Sequence, residues 1–278
     1  MLDQITQITV ARAWWLAIAI GCCSALELVL PGERHSLASR LRGVGFMACY
    51  LATGVTLYTT AVLVIGRLGY APLLVLDLTS TPASQNRLVC ALGYTLFPFA
   101  ALLWSELFYY WFHRLQHAFS ILWRLHSVHH SIAELNEANS YHHFSEEFLR
   151  IPIVVIPALF IVQVHSPLFV LTSYFLSVAG QLQHTNSRIY YGPLRYLWGE
   201  PRFHRVHHSI EERHRNKNFS TSIPLIDWLF GTLYMPRRDE YPATGVAGQP
   251  EPRTLGQYFL PPPARSEERQ QDVASASV

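Results

Sequence analysis

Three histidine clusters offer the chemistry in this chain. His113-Arg-Leu-Gln-His117 is an HxxxH pair. His126-Ser-Val-His129-His130 and His204-Arg-Val-His207-His208 are two HxxHH triplets, each followed by Ser. Of the 14 histidines, 13 follow residue 112. At this His frequency an HxxHH is expected by chance roughly 0.03 times, so the doubled triplet is a specific signal, whereas HxxxH alone is not. On a helix, residues i, i+3 and i+4 share a face with Cβ atoms about 5–6 Å apart. Three imidazoles so placed can converge on one or two metal ions, and neutral imidazole suits Fe, Zn, Cu and Ni. Without a cation, rings this close would repel whenever protonated.

Further histidines divide by position. His184 lies just after an apolar run and can reach the same centre. One of the adjacent His142 and His143, between the triplets, is expected to ligate. His35 and His214 read as surface residues and His165 as structural. The four cysteines sit in apolar stretches without CxxC spacing and read as small core residues.

These clusters must be positioned by a chain that is 50% apolar and 14% charged over 278 residues, well below the roughly 25% charged residues of soluble domains. A net charge of +2 gives no electrostatic case for nucleic-acid binding. Four apolar regions stand out: Ala13 to Leu30, Gly43 to Gly66, Leu88 to Phe112 and Ile151 to Gln183. The first is read as a retained helix rather than a cleaved signal, because no Lys or Arg precedes Arg12. The second and third exceed the roughly 20 residues a spanning helix needs. The fourth is broken by His165-Ser166-Pro167 into halves reaching roughly 21 and 25 Å, which predicts a helical hairpin entering and leaving by one face. The loop Pro31 to Arg42 carries Arg34, Arg40 and Arg42 and is assigned to the cytoplasm. Two crossings later, the segment from His113 returns to that side.

The expected fold is therefore all-α: an integral membrane helical bundle, with three spanning helices, a hairpin and a cytoplasmic His-rich helical cap. Residues 1–112 form the N-terminal transmembrane region. Residues 113–240 form the His-rich region, including the hairpin 151–183, and 241–278 a partly disordered tail.

At this point the sequence resembles the fatty acid hydroxylase/sterol desaturase superfamily of membrane di-iron oxygenases. The resemblance runs from about Glu106 to Thr232. It is carried by Glu106…Tyr110-Trp111-Phe112-His113…His117, Trp123…His126…His129-His130-Ser131, Pro201-Arg202-Phe203-His204…His207-His208-Ser209, Asn216-Lys217-Asn218-Phe219 and Asp227…Phe230-Gly231-Thr232. It implies metal ligands at His113, His117, His126, His129, His130, His204, His207 and His208, with His143 and His184 matching less tightly. The chain departs from the pattern at Glu106 (usually Asp), Phe144 (Pro), Ser220 (Gly) and Ile226 (Trp).

Glu106, Glu146, Asn218 and Asp227 are expected to orient the ligating rings through their other nitrogen. The cofactors implied are two iron ions, which zinc can replace in a purified sample, with O2 as co-substrate. The substrate expected is a membrane lipid (a fatty acyl, sterol or isoprenoid chain) that is hydroxylated or desaturated. No haem motif, ferredoxin-type Cys run or GxGxxG is present, so electrons should come from a ferredoxin or cytochrome b5 with its reductase. A His-rich metal transporter and a zinc membrane hydrolase are the alternatives. Transport needs ionisable groups at mid-membrane, and the hydrolase reading lacks an HExxH.

Overall fold

A computed structural model of the protein describes residues 2–69, 71–77, 87–165, 178 and 180–260. Three long helices coincide with the first three apolar runs: α1 (Leu2–Val29), α2 (Leu37–Arg67) and α3 (Arg87–Ala118). At 1.5 Å per residue they reach about 42, 46 and 48 Å. Among the described residues searched, α2 is the helix long and apolar enough to cross a membrane, and few of its residues are buried.

The N-terminus of α2 is fixed by Ser36, whose side chain accepts the Ser39 N–H. One face of α2 then packs against the loop between the second and third histidine clusters. Gly43, Phe46, Met47, Tyr50 and Gly54 recur at helical spacing along it. Phe46 stacks on Tyr258, with ring centroids 4.8 Å apart, and meets Tyr141 edge-on at 4.9 Å. Ile132, Leu135 and Val128 complete this core. Gly43 permits the closest approach, because a Cβ there would lie 2.2 Å from the Ala138 carbonyl oxygen.

The α1–α2 turn is stitched to the His-rich part of the chain. Glu27 accepts from Arg40 at 2.6 Å and from the backbone N–H groups of Glu137 and Asn186 at 2.8 Å each. Glu33 pairs with Arg205 at 2.8 Å, and Arg42 with Glu251. The arginine-bearing loop and the imidazoles therefore share one end of the molecule.

α3 leads through Phe119 into α4 (Ser120–His130), followed by short elements: a helix Glu146–Arg150, a π-helical turn Ile151–Val155 and a helix Ile156–Ile161. The described residues are mostly helical, as expected, with one short strand pair as the exception. Val162–His165 is a strand, paired in parallel with Leu74–Asp77 in the register Leu74 to Val162. Its β-branched Val162 and Val164 favour extended backbone, and Ser166-Pro167 follows immediately. A parallel pair needs a long crossover, which α3, α4 and the intervening turns supply. The remainder of the expected hairpin from 166 to 177 and the expected tail from 261 lie outside the described residues. Beyond 180 come 3₁₀ turns at Leu182–His184 and Gly192–Tyr196 and short helices at Pro201–His207, Pro224–Leu229 and Leu255–Phe259.

Candidate metal centre

Four segments bring nine imidazoles together. His113 and His117 lie one turn apart near the end of α3. His126, His129 and His130 occupy the last turn of α4, and His184 ends the turn Leu182–His184. His204 and His207 ride the helix Pro201–His207, and His208 is its C-cap. Proline in the first turn starts that helix without an unsatisfied N–H.

The rings sort into two groups. One holds His113, His117, His126, His130 and His207; the other holds His129, His184, His204 and His208. Within each group the candidate ligand atoms lie within 4.8 Å of one another. Each triplet is thus divided: His126 and His130 go to one group and His129 to the other, while His204 and His208 part from His207. Helix geometry explains the division in α4, where His130 is rotated about +40° from His126 and His129 about −60°. The groups abut, with His130 stacked on His208 at a centroid distance of 4.4 Å.

Closest approaches between the rings are nitrogen to nitrogen. His113 Nε2 lies 2.9 Å from both His126 Nε2 and His207 Nε2, and His117 Nε2 is 3.2 Å from His130 Nε2. In the second group, His184 Nε2 is 3.3 Å from His129 Nε2 and 3.0 Å from His204 Nε2, which lies 3.2 Å from His208 Nε2.

Hydrogen bonds on the far side of the rings fix several tautomers. His113 Nδ1 donates to the Phe219 carbonyl at 2.7 Å, and His207 Nδ1 to the Lys217 carbonyl at 2.8 Å. His129 Nδ1 donates to the Tyr141 carbonyl and His126 Nδ1 to Glu146, both at 3.1 Å. Their Nε2 atoms therefore present lone pairs to one another. Burial, helped by His126 and His142 and opposed by the Lys217 hydrogen bond, pushes His207 down to about 3. Burial and neighbouring imidazoles likewise bring His184 to about 3 and hold His129, His130, His204 and His208 well below the ordinary value.

Neutral rings meeting lone pair to lone pair repel unless a cation lies between them. Nitrogens about 2.0–2.1 Å from a shared ion, at tetrahedral to octahedral angles, sit about 2.8–3.4 Å apart. The observed separations of 2.9–3.3 Å match that range, so the donor set fits metal ions.

His143 stands apart from the convergence. Its Nδ1 meets Ser145 Oγ at 2.6 Å, and its ring lies near Tyr258. His142 takes the inward place instead, stacked on His129 at 3.7 Å with Nδ1 3.3 Å from Glu146. Together with His126 and Glu146 it forms a third group that can hold a metal. Successive residues in this extended stretch point opposite ways, so His142 faces the imidazoles and His143, itself buried, faces Tyr258.

Of the four polar residues expected to orient rings, Glu146 does so directly. It also accepts from Gln116 at 2.6 Å. Burial alone would raise its carboxyl, yet His142 and His126 hold it well below the usual range. The other three touch backbone rather than imidazole. Asp227 accepts the N–H groups of Phe219 and Ser220 at 2.7 and 3.0 Å and the hydroxyl of Thr232. Asn218 donates to the Phe203 and Tyr234 carbonyls and accepts the Tyr234 N–H. Glu106 accepts the N–H groups of Thr221 and Ser222. They shape the strip 217–222, whose carbonyls hold His207 and His113. Asn216 and Asn218 have φ of 56° and 57°, a left-handed conformation that asparagine tolerates. The Asn-Lys-Asn run was the available signal for this turn; the carbonyl roles of Lys217 and Phe219 were invisible because any residue has a carbonyl. His214 is likewise buried rather than on the surface, held by Ser209 and Glu240.

Comparison with known proteins follows the same boundaries. The family model for fatty acid hydroxylases matches residues 98–232. The ornithine lipid hydroxylase OlsE of Rhizobium tropici is 32% identical over 158 residues, covering 56% of this chain and 47% of that protein. Alkylglycerol monooxygenase of Danio rerio is 30% identical over 145 residues, covering 50% of this chain and 31% of that protein. The very-long-chain aldehyde decarbonylase GL1-6 of Oryza sativa subsp. indica is 30% identical over 138 residues, 46% of this chain and 21% of that protein. The chain thus spans less than half the length of these curated relatives. No solved structure matches significantly. The matched region runs through all three histidine clusters to Thr232, and over it the comparisons support the resemblance to the fatty acid hydroxylase/sterol desaturase superfamily.

Proposed function

We propose that the chain is a multi-pass membrane oxidoreductase that hydroxylates or desaturates a C–H bond of a lipid. Its two imidazole groups hold two iron ions, with His113, His117, His126, His130 and His207 around one and His129, His184, His204 and His208 around the other. The observation that carries this reading is the meeting of Nε2 lone pairs from four segments at 2.9–3.3 Å inside a buried core. Bound metal supplies O2 activation and the redox capacity that side chains lack for an unactivated C–H bond.

The protein's share is positioning and exclusion of water. Glu146 and the carbonyls of Lys217, Phe219 and Tyr141 keep Nδ1 protonated and aim Nε2 inward. Burial keeps the rings neutral and able to ligate. Three helices coincident with apolar runs, with the imidazoles at the loop 31–42 end, support lateral entry of a lipid from the cytoplasmic leaflet. Relatives named for ornithine lipids and alkylglycerols favour an acyl or alkyl chain over a sterol. Electrons come from a separate ferredoxin or cytochrome b5 with its reductase.

The test is lipid mass spectrometry of cells with and without the gene, joined to metal analysis of the purified chain. An oxygenated or desaturated lipid that vanishes with the gene, together with about two irons per chain, is the expected result. Full activity with zinc and without O2 would sink the proposal.

A further inference from the structure

A second lipid-facing surface lies outside the long helices. The turn Gly192–Tyr196 packs against the helix Pro224–Leu229, and the Gly199 N–H donates to the Ser222 carbonyl at 2.9 Å between them. Leu194, Tyr196, Leu197, Leu225, Trp228 and Leu229 project outward from these two segments, each between 51% and 68% exposed. Folded chains rarely leave so many large apolar side chains bare unless the surface has a partner.

Two observations say which partner. The first is charge. Arg195, within the same turn, lies with Arg202 and Arg238 around the Tyr190 ring, their guanidinium carbons 5.2, 5.3 and 5.3 Å from its centroid. Arg195 and Arg202 share the single carboxylate of Glu200, and Arg238 forms no ion pair among the described residues. Arg195 and Arg202 are buried, so the charge this border exposes is that of Arg238, complementary to phosphate.

The second is continuity with α3. Phe230, directly after the helix Pro224–Leu229, lies 5.1 Å from Tyr110 and 5.0 Å from Trp111. Trp111 is itself exposed at the end of the apolar run Leu88 to Phe112, with Arg114 over its ring. Aromatic and arginine side chains gather in this way at the level of lipid headgroups.

We propose that this face is an interfacial membrane contact, its apolar side chains at the acyl boundary and the exposed Arg238 guanidinium at phospholipid phosphates. The proposal rests on the membrane reading given above. Its consequence is positional. The helix Pro224–Leu229 carries Asp227, which holds the N–H of Phe219, and the Phe219 carbonyl holds His113. Seating this helix at the headgroup level sets the depth of the imidazoles relative to the bilayer.

The experiment places a bimane label at Leu197→Cys, Trp228→Cys or, as reference, Ala52→Cys on an exposed position of α2. The full chain, its native cysteines replaced by Ala, is put in phospholipid nanodiscs. Labels at 197 and 228 should lose emission to lipids whose nitroxide sits shallow in the acyl chain, about 5–10 Å below the headgroups, and resist aqueous iodide. Discs containing phosphatidylglycerol should give stronger quenching than phosphatidylcholine alone, and Arg238→Gln should remove part of that difference.

Quenching of 197 and 228 by iodide alone, with position 52 still quenched by lipid, overturns the proposal and leaves the membrane reading standing. Quenching of none of the three by lipid overturns both. Shielding of 197 and 228 from both quenchers would mean that protein, such as a second copy of this chain, covers the face, and that also overturns the proposal. Equal metal content in all variants certifies the fold.

Discussion

The Nε2 atoms of His113 and His207 lie 2.9 Å apart across 94 residues of sequence, and each ring's opposite nitrogen donates to a carbonyl of the strip 217–219. One short turn therefore sets the tautomer of two rings from different helices. The second group is held less completely: His129 has the Tyr141 carbonyl, but Nδ1 of His204 and of His208 is buried without a partner among the described residues.

That asymmetry predicts two unequal metal sites. Partners on the far side of a ligating His are worth about 10–100-fold in affinity. Titration with a chelator should strip the ion near His204 and His208 first, and His204→Ala should lose that ion while retaining the other. His207→Ala should do the reverse. Loss of both ions in a single step from the unaltered chain would contradict the assignment. Acidification should leave both sites intact until pH falls toward about 3, because burial holds His184 and His207 neutral down to that value and ligating imidazole must be neutral.

The strip 217–219 can be tested without touching a histidine. Asn218→Ala removes three hydrogen bonds and leaves a left-handed residue without asparagine's tolerance. A cost of about 1–3 kcal/mol in stability is expected from the unpaired buried groups. Metal affinity of the His113/His207 group should fall about 10–100-fold, measured by competition with a chromogenic chelator. Unchanged affinity in a destabilised protein would show that the strip does not orient those rings.

Glu137 gives a pH signature. Its carboxyl is fully buried, neither oxygen has a partner among the described residues, and burial followed by repulsion from Glu27 raises it well above its ordinary 4.5. In the unfolded chain it ionises near 4.5, so the folded state retains a proton that the unfolded state has released. Stability is then lost as pH rises from that value toward the raised folded one, by about 1.4 kcal/mol per unit. Glu137→Gln should remove this slope, and thermal unfolding between about pH 5 and 8 reads it. Parallel melting curves for the two chains would refute the assignment.

Gly43 tests how α2 is seated. Ala at this position would press its Cβ to 2.2 Å from the Ala138 carbonyl, which is backbone and cannot step aside. Gly43→Ala should destabilise by about 1–3 kcal/mol. At Gly45 an added methyl group would meet nothing within 4 Å. Ala there should be accepted with a gain of about 0.5–1 kcal/mol from helix propensity. Equal melting temperatures for the two variants would show that this contact does not limit packing.

Much was legible in the primary structure because local physics writes it there. Apolar runs located α1, α2 and α3, and i, i+3, i+4 spacing put His126, His129 and His130 on one helical turn. Periodicity also marked the chemistry, since no core requirement asks for two HxxHH triplets. It could not divide each triplet between two groups, because that depends on where the helix Pro201–His207 lies against α4. Nor could it choose His142 over His143, a choice made by the direction of an extended backbone entering the core. The strand pairing of Leu74–Asp77 with Val162–His165 was equally hidden, since pairing partners are set by chain topology. Residue type and spacing determined which side chains can bind metal; the tertiary fold decided which of them meet, because convergence depends on distances between segments that no local pattern encodes.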